Sequence, residues 1–252
     1  MRFKAAGQTD IGRVREADED AFMIDEERRL YIVADGMGGH QGGGFASTKA
    51  LELVAAETRK LEQMQETTQP LAGGPDRTAT QLRLLRSIQR ANQELFDISL
   101  REPQLRGMGT TLTALQFDEQ FANLAHIGDS RAYQIRDGAM AQLTEDHSWV
   151  QEQVKLGILN PAEARNHPLK NIITRSIGHE RELKVDLFKT EYRPGDKYLL
   201  CTDGLTNMVT DEEILKTLSE MELEPAVARL LKRANEEGGY DNITVILVEV
   251  LD

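Results

Sequence analysis

The sequence is poor in what covalent, thiolate or membrane chemistry would need. It has one cysteine, Cys201, so no internal disulfide or thiolate cluster can form. That cysteine ends the run Tyr198-Leu199-Leu200-Cys201, which predicts a buried strand residue rather than a nucleophile, and it suits a reducing compartment. No run reaches the roughly 18 apolar residues of a membrane span. The opening MRFKAAGQTD lacks a signal peptide's apolar core. A cytoplasmic protein that does not engage membranes is therefore expected. Basic residues are in deficit, 30 Lys and Arg against 42 Asp and Glu, for a formal net charge of -12. Nucleic-acid backbones are gripped by the opposite balance, which argues against a general nucleic-acid binder. Gly36 to Gly44 contains no lysine, which rules out a GxxxxGK[ST] phosphate loop. Gln41 stands where GxGxxG needs its last glycine, and there is no GxSxG; Ser130 in GDSR has a different context. The five histidines are never spaced as a zinc pair, and His40 alone stays open as a functional residue.

What is present is groups of strand patterns separated by helix patterns over 252 residues, with no internal repeat and no low-complexity linker; a single domain spanning 1-252 is expected. Short strands are predicted at Phe3 to Ala6 and Ala21 to Ile24, flanking the charged connection TDIGRVREADED. Read alone, that connection is a solvated loop. The uncharged run Leu30 to Ala34 predicts a buried strand. Phe45 to Gln65 has helical spacing through Leu51, Val54, Leu61 and Met64, and a loop is expected over Glu66 to Thr78. A second helix, Thr80 to Leu100, carries Leu84, Ile88, Ala91, Leu95 and Ile98 on one face. Hairpins follow at Thr110 to Phe117 with Phe121 to Ile127, and at Arg131 to Ile135 with Met140 to Thr144 around Asp137-Gly138. The polar stretch Glu145 to Gly178, with a helix start at Asn160-Pro161, is expected to act as a flap. Strands at Leu183 to Tyr192 and Lys197 to Thr202, helices at Asp211 to Met221 and Pro225 to Asn235, and a last strand at Asn242 to Val250 complete the chain.

Four aspartates stand at the mouths of apolar strands: Asp35 after Leu30 to Ala34, Asp129 after Ala125 to Gly128, Asp203 after Tyr198 to Thr202, and Asp241 before Asn242 to Val250. Asp35-Gly36 and Asp203-Gly204, each taken alone, would read as turns. Four together imply strand ends converging on one edge, where unneutralised carboxylates repel each other. Hard divalent cations relieve that repulsion, and an all-oxygen donor set points to Mg²⁺ or Mn²⁺.

In their order along the chain, TDIGRVREADED, VADGMGGHQGG, GMGTTLTAL, HIGDSRAY, LTEDHS, NIITRSIG, LLCTDGL and GGYDNITV resemble the protein phosphatase type 2C family of metal-dependent Ser/Thr phosphatases, most closely its single-domain bacterial members. The resemblance runs from about Thr9 to Val250. It implies an α+β fold, a four-layer sandwich of two antiparallel β-sheets flanked by pairs of α-helices. It places Asp35 as the bridging metal ligand, the Gly36 carbonyl as a further ligand, and Asp203 and Asp241 as the other carboxylates of the first metal. Asp129, with Asp203, would hold a third ion. Asp20 would lie near the second metal, with Glu19 and Asn242 as lesser contributors, and Arg15 would bind phosphate. The implied cofactors are two Mn²⁺ or Mg²⁺ ions, with a third site.

The activity so implied is hydrolysis of phosphoserine and phosphothreonine monoesters in phosphoproteins made by Ser/Thr kinases, by direct attack of a metal-bridging hydroxide without a phosphoenzyme. Phosphotyrosine and aryl phosphates are candidate further substrates, and a monomer is expected. Eukaryotic relatives carry a candidate acid histidine after the metal-binding Asp-Gly; Met37 occupies that place here, so His40 or a metal-bound water is left to protonate the leaving alkoxide. The alternatives are a catalytically silent phosphatase-like binding module, whose mark would be lost metal carboxylates, and an NAD-binding enzyme, whose mark would be stabilisation by the cofactor.

Overall fold

The computed structural model describes residues 1–38, 42–64 and 77–252. In chain order its strands are β1 (Arg2–Asp10), β2 (Asp20–Asp25), β3 (Leu30–Met37), β4 (Gly109–Thr110), β5 (Leu112–Phe117), β6 (Phe121–Ile127), β7 (Arg131–Arg136), β8 (Ala139–Gln142), β9 (Asp186–Glu191), β10 (Lys197–Cys201) and β11 (Ile243–Leu251). The α-helices are α1 (Gly42–Gln63), α2 (Ala79–Arg101), α3 (Trp149–Lys155), α4 (Pro161–Arg165), α5 (Asp203–Thr206), α6 (Asp211–Glu220) and α7 (Leu223–Glu236). One sheet runs β1-β11-β10-β7-β8 and the other β2-β3-β5-β6-β9, with β4 added beside β3. All these pairings are antiparallel.

Side chains alternate across a strand, and here both faces of the central strands are covered. On β10, Tyr198 and Leu200 point into the layer between the sheets, while Leu199 and Cys201 pack under α5, α6 and α7. On β3, Tyr31 and Val33 join the same inner layer, and Leu30, Ile32 and Ala34 face α1 and α2. Burial on both faces explains why these strands read as unbroken apolar runs rather than alternating ones. The expected four-layer sandwich is therefore the observed fold. Cys201 is fully buried, and burial pushes its thiol up to about 12, which leaves it inert as a nucleophile.

Several boundaries differ from the sequence expectation. β1 extends to Asp10 through Gly7, Gln8 and Thr9, because β11 pairs with it residue for residue from Leu251 to Ile243. A polar stretch becomes strand when a partner satisfies its backbone. α1 begins at Gly42, ahead of the expected Phe45; Gly42 and Gly43 are buried there, and a Cβ on Gly42 would meet Met108 at 3.2 Å. Leu51, Val54 and Leu61 are buried as expected, whereas Met64 is half exposed. In α2, Leu84, Ile88, Ala91 and Leu95 are fully buried. Most of the loop expected over Glu66 to Thr78 lies outside the described residues; Thr78 itself caps α2, its hydroxyl accepting from the Gln81 amide. Asn160 caps α4 in a reciprocal box with Glu163. Among the described residues no helix is long and apolar enough to cross a membrane.

Candidate metal and phosphate site

The alternation along β3 fixes where its carboxylate goes. Tyr31 and Val33 face the inter-sheet layer, so Asp35 falls on the same face, at the end where the apolar core stops. Neither Asp-Gly pair is a turn. β3 runs on through Gly36 and Met37 because β4 pairs with them, Gly36 opposite Thr110 and Met37 opposite Gly109. Asp203 instead opens the short helix α5. Asp20 is the register partner of Asp35, so two carboxylates stand directly opposite each other on neighbouring strands. Like charges so placed are destabilising unless something neutralises them.

Arg15, Glu19, Asp35, Gly36, Asp129, Asp203 and Asp241 line one cavity of about 220 Å³. Arg15 Nη2 donates to Asp241 Oδ2 at 2.7 Å across its mouth. Asp20 lies beneath, buried, with Oδ2 accepting from Thr202 Oγ1 at 2.8 Å. Gly36 is where the chain has no room for a side chain: a Cβ would lie 2.2 Å from the Gly43 carbonyl oxygen and 2.6 Å from that of Glu19. Glu19 is held by its own backbone, its carbonyl accepting from Gly36 N at 3.1 Å and from Ser47 Oγ at 2.6 Å. The charged connection read as solvated when taken alone is thus folded into the cavity wall.

Burial first, and then neighbouring carboxylates, push Asp35 and Asp129 well above the usual carboxylate range. Burial does the same to Asp20, against the hydrogen bonds from Thr244 and Thr202. Asp203 is raised to about 6 by burial and by Asp241. Of the eight buried side-chain polar atoms without a hydrogen-bond partner among the described residues, four are carboxylate oxygens here: Glu19 Oε1, Asp20 Oδ1, Asp129 Oδ1 and Asp203 Oδ1. Orphaned oxygens on that scale are costly unless a cation meets them. No group of three or more His, Cys, Asp or Glu among the described residues converges closely enough to hold a metal as it stands. The oxygen-only donor set and the orphaned atoms fit hard divalent cations.

His40 lies outside the described residues. Asn242 does not line the cavity; its Oδ1 accepts from Glu19 N at 2.9 Å and its Nδ2 donates to the carbonyls of Ile11 and Ala17 at 3.0 Å each. It pins the acidic loop. Asn242→Ala is expected to destabilise the protein by about 1–3 kcal/mol, the cost of leaving such groups unpaired, read as a lower urea midpoint.

Sequence reasoning missed the hydroxyl and histidine network behind the carboxylates. Asp35 N donates to Thr111 Oγ1 at 2.9 Å, and Thr111 Oγ1 meets Ser130 Oγ at 2.8 Å. Thr113 Oγ1 meets His126 Nδ1, His126 Nε2 meets the Glu145 carbonyl, and Gly128 N donates to His147 Nδ1. This chain ties Asp35 and the Asp129 turn to the start of the 145–178 segment. Burial lowers His126 to about 3, so it stays a neutral strut. Asn207, which donates to Asp203 Oδ2 at 2.8 Å, was also missed. A helical i, i+4 spacing from Asp203 was its only sequence signal.

The sequence profile described as Protein phosphatase 2C matches residues 13–251. The chain is 41% identical over 248 residues to the serine/threonine phosphatase stp of Listeria innocua serovar 6a, covering 96% of this chain and 94% of that protein. It is 36% identical to the crystal structure of the Mycobacterium tuberculosis serine/threonine phosphatase PstP/Ppp, with a TM-score of 0.87 and all of both chains covered. The catalytic domain of PstP in complex with two manganese ions is also 36% identical, with a TM-score of 0.81 over 99% of each chain.

Proposed function

The chain belongs to the protein phosphatase 2C family and is a metal-dependent serine/threonine phosphatase using Mn²⁺ or Mg²⁺, and we propose that the cavity between Arg15 and Asp203 is its active site. The observation that carries this assignment is the set of orphaned carboxylate oxygens beside a guanidinium at the cavity mouth. Asp35, Gly36, Asp203 and Asp241 would hold one ion, Asp35 and Gly36 with Glu19 and Asp20 a second, and Asp129 with Asp203 a third. Bound divalent cations supply a nucleophile from water at neutral pH and neutralise charge on the phosphoryl group.

The chain's own residues bind and orient. Arg15 is aimed across the cavity by Asp241 and presents paired N–H donors that match phosphate oxygens. Among the described residues lining the cavity there is no Ser, Thr, Cys or His, which supports direct attack on phosphorus without a covalent intermediate on any of those side chains. Met37 lines the cavity and cannot donate a proton, so His40 is kept as the proposed acid for the leaving alkoxide. The 145–178 segment is proposed as a flap governing access, and a cytoplasmic monomer acting on the products of Ser/Thr kinases is the proposed setting.

Hydrolysis of an aryl phosphate with Mn²⁺, repeated with chelator, tests the assignment; activity indifferent to chelation would sink it. Arg15→Lys keeps the charge but loses the fork. It is expected to lower kcat/KM by about 10²-fold and to weaken inhibition by inorganic phosphate, as loss of an oriented donor does.

A further inference from the structure

On the outer side of Arg15 a second hollow of about 450 Å³ adjoins the carboxylate cavity. The two share Arg15, Asn171 and Asp241 as walls, so they abut. The hollow's apolar lining is Val14, Met208 and Tyr240, where the first cavity has Met37 and Ile173. Tyr240 is 64% exposed and Val14 60% exposed. A lone exposed apolar side chain needs no explanation. Two of them flanking a phosphate-binding arginine, over a formed hollow, do.

Tyr240 is exposed yet held. A Cβ on Gly238 would lie 2.7 Å from Tyr240 Cε2, so the ring rests on the backbone of Gly238, whose φ of +130° suits glycine. The loop carrying the ring is pressed against the loop carrying Val14: Arg13 N donates to the Gly239 carbonyl at 2.7 Å, and a Cβ on Gly12 would lie 2.3 Å from the Asp241 carbonyl oxygen. A rigid aromatic platform loses little entropy when something packs on it.

We propose that Tyr240, with Val14 and Met208, forms a specificity subsite for an apolar side chain one or two positions from the phosphoserine or phosphothreonine of the substrate. The inference rests on the phosphatase assignment above. A phosphoester at Arg15 keeps its chain neighbours within about 3.3–3.6 Å per residue, and the adjoining hollow begins at Arg15 itself. Arg15 is engaged by Asp241 and by the phosphate, and Lys170 Nζ donates to Asn207 Oδ1 at 3.4 Å.

The test uses the full chain with Mn²⁺ and phosphothreonine peptides that differ only by Leu or Ser at positions flanking the phosphoresidue, with 4-nitrophenyl phosphate as reference. The wild type is expected to prefer a Leu peptide by about tenfold in kcat/KM, mostly through KM, the scale of one apolar contact. Tyr240→Ala should erase that preference and lower the peptide-to-aryl-phosphate ratio of kcat/KM, while Tyr240→Phe retains both. A preference that survives Tyr240→Ala would overturn the subsite, as would an equal loss on peptide and aryl phosphate, which marks a merely structural loop. Wild-type protein inactive on both substrates would instead overturn the phosphatase assignment, and the subsite with it.

Discussion

Asp35→Asn is expected to cut phosphate-ester hydrolysis by at least about 10³-fold while raising the melting temperature of the chelated protein. The two effects have one cause. Asp35 is buried opposite Asp20 and within the fields of Asp203, Asp129 and Asp241, and burial plus those charges push its carboxyl well above the ordinary range. Removing its charge relieves a repulsion that the metal-free fold must bear. The gain should be about 2 kcal/mol, the upper end for a single stabilising change, or several degrees in a chain of this size. The same substitution removes the proposed bridging ligand, so the loss of activity should not be rescued by excess Mn²⁺. Calorimetry in chelator beside Mn²⁺-dependent turnover checks both signs. A variant that melts lower, or that keeps its turnover, would refute the role given to Asp35.

Stabilisation by Mn²⁺ should grow as pH rises from 3.8 through about 6. Asp20, Asp35, Asp129 and Asp203 have folded pKa values raised above the unfolded value, Asp203 from 3.8 to about 6. As pH rises through that window the unfolded chain releases protons first, so the chelated fold loses stability, and the loss is complete above the folded pKa. Asp203 alone accounts for on the order of 3 kcal/mol. Cations bind the deprotonated carboxylates, so they restore what rising pH removes. His126 and His147 act in the opposite sense. Their lowered pKa values give stability that is present above about 6.5 and lost as pH falls toward the folded values. They do so with and without metal. The difference between melting curves in Mn²⁺ and in chelator therefore isolates the carboxylates, and a pH-independent difference would contradict the cluster's assigned charge.

Much of the site was legible before the fold. Asp35, Asp129, Asp203 and Asp241 stand out because each ends or begins an apolar run, and a run buried on both faces leaves its first charged residue at the edge of the core. Arg15 and Glu19 were not legible in that way. Their segment is a run of charges with no periodicity, and only the family resemblance moved it from solvent to site. The structure supplies the physical reason: Asn242 and Ser47, distant in sequence, bind the backbone of that segment and turn its side chains into the cavity. Thr111, Ser130 and His126 carried no usable signal, and Asn207 carried only its spacing from Asp203, since single hydroxyl, imidazole and amide groups acquire a role only from what they face.

The sequence by itself determined the layers and the chemistry. Unbroken apolar runs and period-3.6 apolar spacing decide which segments and faces are buried, and carboxylates at strand mouths decide what those mouths can bind. Only the tertiary structure decided the pairings. β11 made a strand of polar Gly7 to Asp10, β4 carried β3 past an Asp-Gly pair that alone would turn, and register set Asp20 opposite Asp35. Those outcomes depend on backbone partners tens to hundreds of residues away, and no local property of a residue encodes which distant backbone will satisfy it.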